Sequence, residues 1–288
     1  MYQRLTAHDR VASGMGHRGP KVGGAELFCA ADGRRILKRK KSTEPPGYDM
    51  GISPKQAALT GTALVPGEGE RVTGYGVMAA PFSSGHLLAT RTFPVSSFGP
   101  PYTSVWHRDP EGNWTIYSDV EPAASCARFF SAALVEASQA DVSCSWVTDS
   151  SMHVSIPGVL DWEFELMESP RTAIMNAVGK GMPEAMWRNK GVLGAMGPVA
   201  GRFLGLGHIG LAGNVPNGQW FRANPRLMWF LRTIRGSIRG QELGYDTPLR
   251  EQVKLGDFWL PSRGIFAVGN SLFEPLDPDR HQRPERSL

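Results

Sequence analysis

The segment Ser104–Ser118, with the sequence SVWHRDPEGNWTIYS, constrains the fold more than any other part of the chain. Asp109-Pro110-Glu111-Gly112 has the residues of a tight turn, because proline presets the φ angle of the second turn position and glycine accepts a positive φ. β-branched and aromatic residues flank this turn on both sides, which is typical of strands. The sequence therefore predicts a β-hairpin closed by a four-residue loop.

Alternation along this hairpin predicts which side chains share a face. With the four-residue loop, His107 lies opposite Trp114 and Arg108 lies opposite Asn113. One face then carries Val105, His107, Trp114 and Ile116, and the other carries Ser104, Trp106, Arg108, Thr115 and Tyr117. Because both faces contain aromatic residues, we expect other elements to cover the hairpin on both sides.

A meander of further strands is predicted downstream of the hairpin. Val142–Thr148, Met152–Ile156 and Val159–Met167 place apolar residues at alternate positions, and turn residues separate them. This pattern is typical of an up-and-down antiparallel sheet. Additional strands are predicted at Arg71–Phe82, His86–Phe93, His208–Val215, Gln219–Ala223, Asp257–Pro261 and Gly264–Val268, with a hairpin around Asp32-Gly33.

Helices are predicted in two places. Ser125–Ala137 has the apolar spacing of a helix, and residues 170–204 contain several methionines in two or three short helices, with Pro183 and Pro198 in first turns. Arg226–Ser237 is ambiguous, because Asn224-Pro225 can begin a helix while alternation indicates a strand. Its aromatic and β-branched content favours the strand.

These elements predict a mainly β fold (β-rich α+β), in which an antiparallel meander resembles a lipocalin-like barrel with a short helical insertion. We expect a β-meander half at 25–168, a helical connector or cap at 170–204 and a second β half at 208–273, with irregular termini at 1–24 and 275–288.

Composition and motifs exclude several classes of function. The chain has 288 residues, a net charge of +4 and 3 cysteines at unrelated spacings, which indicates neither a disulfide framework nor a dedicated nucleic-acid protein. No signal peptide or apolar run long enough for a membrane span is visible, so we expect a cytoplasmic protein without membrane insertion. The basic run Lys38–Lys41 fits a solvated strand edge, or alternatively an anion-binding patch.

Glycine motifs at Gly14–Gly19 and Gly205–Gly210 fit G-x-G-x-x-G but lack the strand before and the helix after that a dinucleotide site needs. No metal-ligand spacing, P-loop or G-x-S-x-G motif occurs. We therefore expect no cofactor and no metal.

The candidate catalytic residues are His107, Asp161 and Glu163. An imidazole on the more aliphatic hairpin face can act as a general acid or base, although a buried structural histidine is the alternative. Asp161, Glu163 and Glu165 alternate along one strand, which brings carboxylates about 6–7 Å apart. The alternative for this stripe is the solvated face of a half-buried sheet. The candidate substrate-binding residues are Trp106, Arg108, Trp114, Tyr117, Met186 and Trp187.

The sequence thus favours an enzyme, of isomerase, cyclase or lyase type, that acts on a hydrophobic small molecule in an apolar barrel cavity by acid–base chemistry. Two alternatives remain open at this point. One is a non-catalytic carrier of an apolar ligand, and the other is an interaction module that uses the methionine-rich helices.

Overall fold

A computed structural model of the chain describes residues 51–60 and 63–281. The strands are β1 (Glu70–Pro81), β2 (Leu87–Ser96), β3 (Tyr102–Arg108), β4 (Trp114–Ser118), β5 (Glu136–Gln139), β6 (Ser143–Trp146), β7 (Ser151–Ile156), β8 (Leu160–Met167), β9 (Ala212–Asn214), β10 (Trp220–Ile238), β11 (Gln241–Glu242), β12 (Lys254–Leu255), β13 (Phe258–Trp259) and β14 (Ile265–Phe273).

The helices of the described part are α1 (Pro54–Thr60), α2 (Ala127–Phe130), α3 (Pro170–Gly181), α4 (Glu184–Arg188) and α5 (Lys190–Leu204). Short 3-10 turns at Pro122–Ala124 and Ser131–Ala133 flank α2. No helix within the described ranges is both long enough and apolar enough to cross a membrane.

Most of the strands join one large sheet. Their order is β5-β4-β3-β2-β1-β14-β10-β8-β7-β6, and β9 and β11 also pair with β10. Neighbours run antiparallel except β4 and β5, which run parallel. The predicted mainly β, antiparallel fold is confirmed, and the sheet curls into half of a barrel. Closure into a lipocalin-like barrel stays a prediction, because β5 and β6 form the two ends of the described sheet.

Glycines allow β1 and β2 to approach each other closely on both sides of Tyr75. A Cβ atom on Gly74 would lie 2.0 Å from the carbonyl oxygen of Thr92, and one on Gly76 would lie 1.9 Å from that of Thr90. The pairing register of the two strands shifts on both sides of Tyr75. No residue with a Cβ atom fits at these separations, so the close approach of the two strands at this point depends on glycine.

Both faces of the sheet are covered, as the hairpin indicated. One face carries a cluster that includes Val105, Trp162, Phe164, Trp229 and Phe266. The opposite face carries a cluster that includes Trp106, Trp114, Phe129, Phe221 and Phe273. Burial alternates along β7 and β8 in the predicted way, which confirms the meander pattern of this region.

The hairpin itself forms, but its register differs by one residue from the predicted one. Arg108 pairs with Trp114 and His107 pairs with Thr115. The loop is Pro110–Gly112, because Asp109 and Asn113 already pair: the backbone N–H of Asp109 donates to the carbonyl of Asn113 at 3.0 Å.

The physical reason for this register is the side chain of Asp109. Its carboxylate accepts the backbone N–H of Asn113 at 2.8 Å, which draws Asn113 into the closing pair. Gly112 then takes a positive φ of 99°, as in a hairpin loop with a G1 bulge.

A one-residue shift moves side chains to the other face, so the predicted faces were wrong. Trp106 and Arg108 share their face with Trp114 and Ile116, while Val105 and His107 share theirs with Thr115 and Tyr117.

The helical insertion is confirmed by α3, α4 and α5, but details differ from the prediction. Pro183 precedes α4, whereas Pro198 lies inside α5 and not in a first turn. The helix predicted at Ser125–Ala137 is confined to α2, and the chain then enters β5. The ambiguous segment Arg226–Ser237 is a strand, as favoured, and forms part of β10.

Several predictions lie outside the described residues: the arm at 1–24, the Asp32-Gly33 hairpin, the basic run Lys38–Lys41 and the end of the tail at 282–288. The boundaries of the predicted 25–168, 170–204 and 208–273 segments stay predictions.

Candidate active site

A cavity of about 140 Å³ lies on the face of the sheet that carries Trp106. This space is well above the minimum that a single water molecule needs, and it is compatible with a small organic molecule. Most of the lining side chains are aliphatic or aromatic, including Met78, Phe93, Phe129, Phe130, Met228, Phe258, Ile265 and Phe273. The cavity therefore favours a ligand with an apolar body.

One wall of the cavity is the segment that follows α5, residues 206–211. α5 packs closely against it, because a Cβ atom on Gly197 or Gly201 would lie 2.2 or 2.1 Å from a carbonyl oxygen of this segment. The side-chain amide of Gln252 holds the same segment by accepting the backbone N–H of His208 at 2.7 Å and donating to its carbonyl at 2.6 Å. These contacts fix the wall relative to α5 and to the segment around Gln252.

Arg91 is the charged group of the cavity lining. It lies on β2, and only 5% of its surface is exposed. Its guanidinium lies 5.0 Å from the centre of the Trp106 ring, a separation that allows a cation–π interaction. Burial lowers the pKa of Arg91 to about 10, so the side chain remains a cation at neutral pH.

Backbone carbonyls supply the hydrogen bonds of Arg91. Its Nη1 donates to the carbonyls of Val77 and Thr90, the latter at 3.0 Å, and its Nη2 donates to Met78 at 3.2 Å. The pairing of β1 with β14 skips a residue between Val77 and Ala79. A bulge of this kind interrupts the strand ladder and leaves carbonyls available to a side chain, which is how the sequence places a buried guanidinium here.

Tyr102 and Cys126 lie beside Arg91 in the same lining. Burial, with a smaller contribution from Cys126, raises the pKa of Tyr102 well above its ordinary value. Burial also raises the pKa of Cys126, although Ser104 and Trp106 hydrogen-bond to its sulfur at 3.2 and 3.1 Å. Both groups are therefore neutral near pH 7 and hold their protons.

The Oη atom of Tyr102 is buried and has no hydrogen-bond partner among the described residues. Unsatisfied buried hydroxyl groups are uncommon in folded proteins, because each costs about 1–3 kcal/mol. The amide groups of Asn224 and Asn270, which lie 3.0 Å apart, line the same cavity. The polar part of the lining thus includes these two neutral amides as well as the group of Arg91, Tyr102 and Cys126.

Of the residues predicted to bind substrate, Trp106 lines this cavity. Trp114 and Tyr117 are buried in the clusters on opposite faces of the sheet, and Arg108 lies near the hairpin loop beside Gly112. Met186 is 43% exposed, while Trp187 is buried and borders a smaller cavity of about 30 Å³ between the helices and β10. The structure does not bring these residues together.

His107 lies at the end of β3, outside the lining of the cavity. Its ring stacks on that of His86, with 2.8 Å between His86 Nδ1 and His107 Nε2. Burial, and next the neighbouring His86, lower the pKa of His107 to about 4. The imidazole is therefore neutral at pH 7, and its closest described partner is another imidazole.

Asp161 and Glu163 lie on the partly exposed face of β8. Arg235 contacts both, at 3.5 Å to Asp161 and 3.1 Å to Glu163, and His153 lies 3.3 Å from Asp161. These side-chain contacts bridge neighbouring strands in the register of the sheet. The arrangement is that of a solvated sheet face, the alternative that the sequence left open, and neither carboxylate lines the cavity.

No family model matches the chain, and a search of curated proteins found no match. Among solved structures, the chain is similar to an acetoacetate decarboxylase from Legionella pneumophila subsp. pneumophila, with 10% identity, a TM-score of 0.34, and coverage of 73% of this chain and 86% of that chain. It is also similar to CghA, solved with Sch210972, with 10% identity, a TM-score of 0.27, and coverage of 78% and 55%. Likeness at this level carries no functional argument.

Within the described ranges, no group of three or more His, Cys, Asp or Glu side chains is arranged to hold a metal ion. Sequence reasoning missed Arg91, Tyr102 and Cys126 as site residues. The available signal was Arg91 itself, the charged residue in the otherwise uncharged strand sequence LLATRTFPVS. Charged residues are seldom fully buried without a partner, so an arginine inside such a strand indicates a candidate binding residue.

Proposed function

We propose that this chain is an enzyme, of isomerase, cyclase or lyase type, that acts on a hydrophobic small molecule held in the cavity beside Arg91. The observation that supports this proposal is the cavity itself, in which mostly apolar walls hold a polar group formed by Arg91, Tyr102 and Cys126, while Asn224, Asn270 and Ser271 supply further polar side chains. Sites for small molecules commonly combine an apolar lining with a few polar groups that orient the ligand.

The proposed chemistry follows from the positive charge of Arg91 and from the protons that the neutral side chains of Tyr102 and Cys126 hold. Reactions of these types move a proton and place negative charge on an oxygen atom of the substrate. A fixed cation in an apolar site stabilises such charge more strongly than water does, which is the role we propose for Arg91. Tyr102 and Cys126, both neutral, are the proton-holding groups next to it.

A non-catalytic carrier is the second candidate. A specific observation favours it: the lining residues within the described part include no Asp, Glu, His or Lys to serve as a general base. The catalytic roles of His107, Asp161 and Glu163 stay predictions, and the position of all three outside the cavity lends them no support. The interaction module stays a prediction, because Trp187 and Leu193 are buried in the helical insertion whereas Met186 and Val199 are exposed on it.

Native mass spectrometry of freshly purified protein tests the proposal directly. We expect a bound small molecule that is lost in Ala267→Phe, because Ala267 lines the cavity and a phenyl ring there occupies its space. Val199→Phe is the matched control, since Val199 is exposed on α5 and adds similar bulk outside the cavity. The cavity is not a ligand site if the purified protein carries no bound molecule and if no compound in a panel of apolar acids, amides and neutral compounds shows binding that Ala267→Phe removes.

Turnover distinguishes the enzyme from the carrier. The recovered compound is incubated with fresh protein and followed by liquid chromatography and mass spectrometry. We expect conversion by the native protein and by His107→Ala, and none by Ala267→Phe. Release of the compound without chemical change identifies a carrier. Loss of conversion in His107→Ala with unchanged ligand affinity would restore His107 as the catalytic group.

A further inference from the structure

The charge of Arg91 is not balanced by any described group of the protein. Its hydrogen-bond acceptors are the carbonyls of Val77, Thr90 and Met78, which are neutral. No carboxylate in the described part forms an ion pair with Arg91, and no Asp or Glu lines the cavity. Burying an ion without a partner is expensive, and folded proteins normally pair such groups.

The neighbours that could become anions do not do so at neutral pH. Tyr102 and Cys126 both have raised pKa values, because the cavity wall buries them. The phenol and the thiol therefore leave the positive charge of the guanidinium in place. The described residues therefore supply no anion that balances this charge.

The guanidinium also has donors to spare. An arginine side chain carries five N–H groups in a planar fork, and three hydrogen bonds to carbonyls are described for Arg91. Arg91 keeps 5% of its surface exposed and is one of the residues that line the cavity. A carboxylate is the organic anion whose two oxygens match adjacent donors of this fork.

We propose that the ligand of the cavity is an organic carboxylate, with an apolar body against Phe129, Phe130 and Met228 and its anionic end at Arg91. This inference rests on the proposed ligand-binding function and specifies its substrate class. Most of the residues that line the cavity are aromatic or aliphatic. A simple inorganic anion at Arg91 would therefore leave most of the walls without contacts. A neutral carbonyl compound contacts the walls equally well but leaves the charge of Arg91 unbalanced.

A structural clamp is the competing role for Arg91. The guanidinium bridges β1 and β2 where their register shifts, and that role alone requires no ligand. The two roles differ in one measurable property: a clamp is indifferent to the charge of whatever enters the cavity, whereas a ligand-binding cation is not.

The experiment compares carboxylic acids with their own amides, which have the same shape and no charge. A series of straight-chain and phenyl-substituted carboxylic acids, each with its amide, is titrated calorimetrically into the full chain at pH 7. One such pair is 3-phenylpropionate and 3-phenylpropionamide. We expect at least one acid to bind more than about tenfold more tightly than its amide, because only the acid pairs its charge with Arg91. A tenfold difference in Kd corresponds to about 1.4 kcal/mol. We expect Arg91→Met to remove that preference and Arg91→Lys, which keeps the charge but not the fork, to retain part of it.

The outcomes separate the two proposals. Equal binding of acid and amide to the native protein overturns the carboxylate inference and leaves the proposed function intact, and this comparison requires no variant to fold. Binding of amides but no acids overturns the inference in the same way. If no acid, amide or neutral compound binds and native mass spectrometry finds nothing, both proposals fail. A preference for acids that survives in folded Arg91→Met places the anion elsewhere and also overturns the inference.

Discussion

The amide of Asn176 should contribute more to stability than a typical buried polar side chain, because it completes the pairing of β10. Its Nδ2 donates to the carbonyl of Met228 at 3.0 Å, and its Oδ1 accepts the N–H of Met228 at 2.7 Å. β8 ends at Met167, whose partner on β10 is Phe230. The side chain of Asn176 thus takes the place of a strand residue just beyond the end of β8.

The magnitude follows from the two groups that Asn176→Ala leaves without partners. Asn176 is only 6% exposed. Each net hydrogen bond contributes about 1 kcal/mol, and a buried backbone group without a partner costs about 1–3 kcal/mol. We therefore expect a loss of about 2–4 kcal/mol in the free energy of unfolding. Asn189→Ala is the matched control, because the exposed Asn189 caps α5 through one hydrogen bond to Val192 and should cost about 1 kcal/mol.

The variant Asn176→Asp adds a pH-dependent test of the same contact. An ionised carboxylate at this position lies against the carbonyl of Met228, whereas a protonated carboxyl can donate to it as the amide does. Burial raises the pKa of such a group above its value in the unfolded chain. The stabilising form is therefore present at low pH and is lost as the pH rises through the raised pKa.

Urea denaturation followed by tryptophan fluorescence measures both effects. Asn176→Asp should approach the stability of the native protein as the pH is lowered from 8 toward 5. The reasoning is refuted if Asn176→Ala costs no more than Asn189→Ala, or if the deficit of Asn176→Asp is the same at both pH values.

Two further predictions concern backbone contact and titration. Gly76→Ala should abolish folding or lower the free energy of unfolding by about 3 kcal/mol or more, because its Cβ atom would lie 1.9 Å from the carbonyl oxygen of Thr90. Gly194→Ala is the control: a Cβ atom there has no neighbouring atom within 4 Å, so the variant should stabilise α5 by about 0.5–1 kcal/mol. Circular dichroism melting curves compare the two, and a folded Gly76→Ala of native stability contradicts the contact. His107 has a folded-state pKa of about 4, below the ordinary value of 6.5, so the native protein should lose stability as the pH falls from 6.5 to about 4. At about 1.4 kcal/mol per pKa unit this loss is at most about 3 kcal/mol, and less because the imidazole is partly exposed. His107→Asn should show a flatter pH profile in urea denaturation, and identical profiles would contradict this assignment.

Local patterns predicted much of the sheet. Alternation along β7 and β8 identified Trp162 and Phe164 as core residues and placed Asp161 and Glu163 on the other face. These assignments succeeded because the faces of a strand depend on the period of two alone. The same rule failed in the hairpin, because the side chain of Asp109 selects the register and a single shift exchanges the faces.

The site could not be assembled from sequence for a different reason. Arg91, Tyr102, Cys126 and Met228 belong to separate elements whose proximity depends on strand order, and no local pattern states that β1 lies between β2 and β14. The bulge at Met78, which frees the carbonyls for Arg91, carries no turn residue that would have marked it. His107 was predicted from its residue type alone, and its position outside the lining of the cavity leaves its catalytic role a prediction.

The pairing of β1 with β14 has a consequence for how the chain reaches its native state. Each residue of β1 from Glu70 to Val77, and also Ala79, pairs with a residue of β14, near the far end of the described chain. Met78, at the bulge, is skipped. One edge of the early strands therefore stays without a partner until residues 265–273 arrive. Contacts between residues this distant in sequence slow folding. Until they form, the unpaired edge of β1 can pair with strands of other molecules. Nascent or truncated chains that lack β14 should consequently depend on chaperones or aggregate.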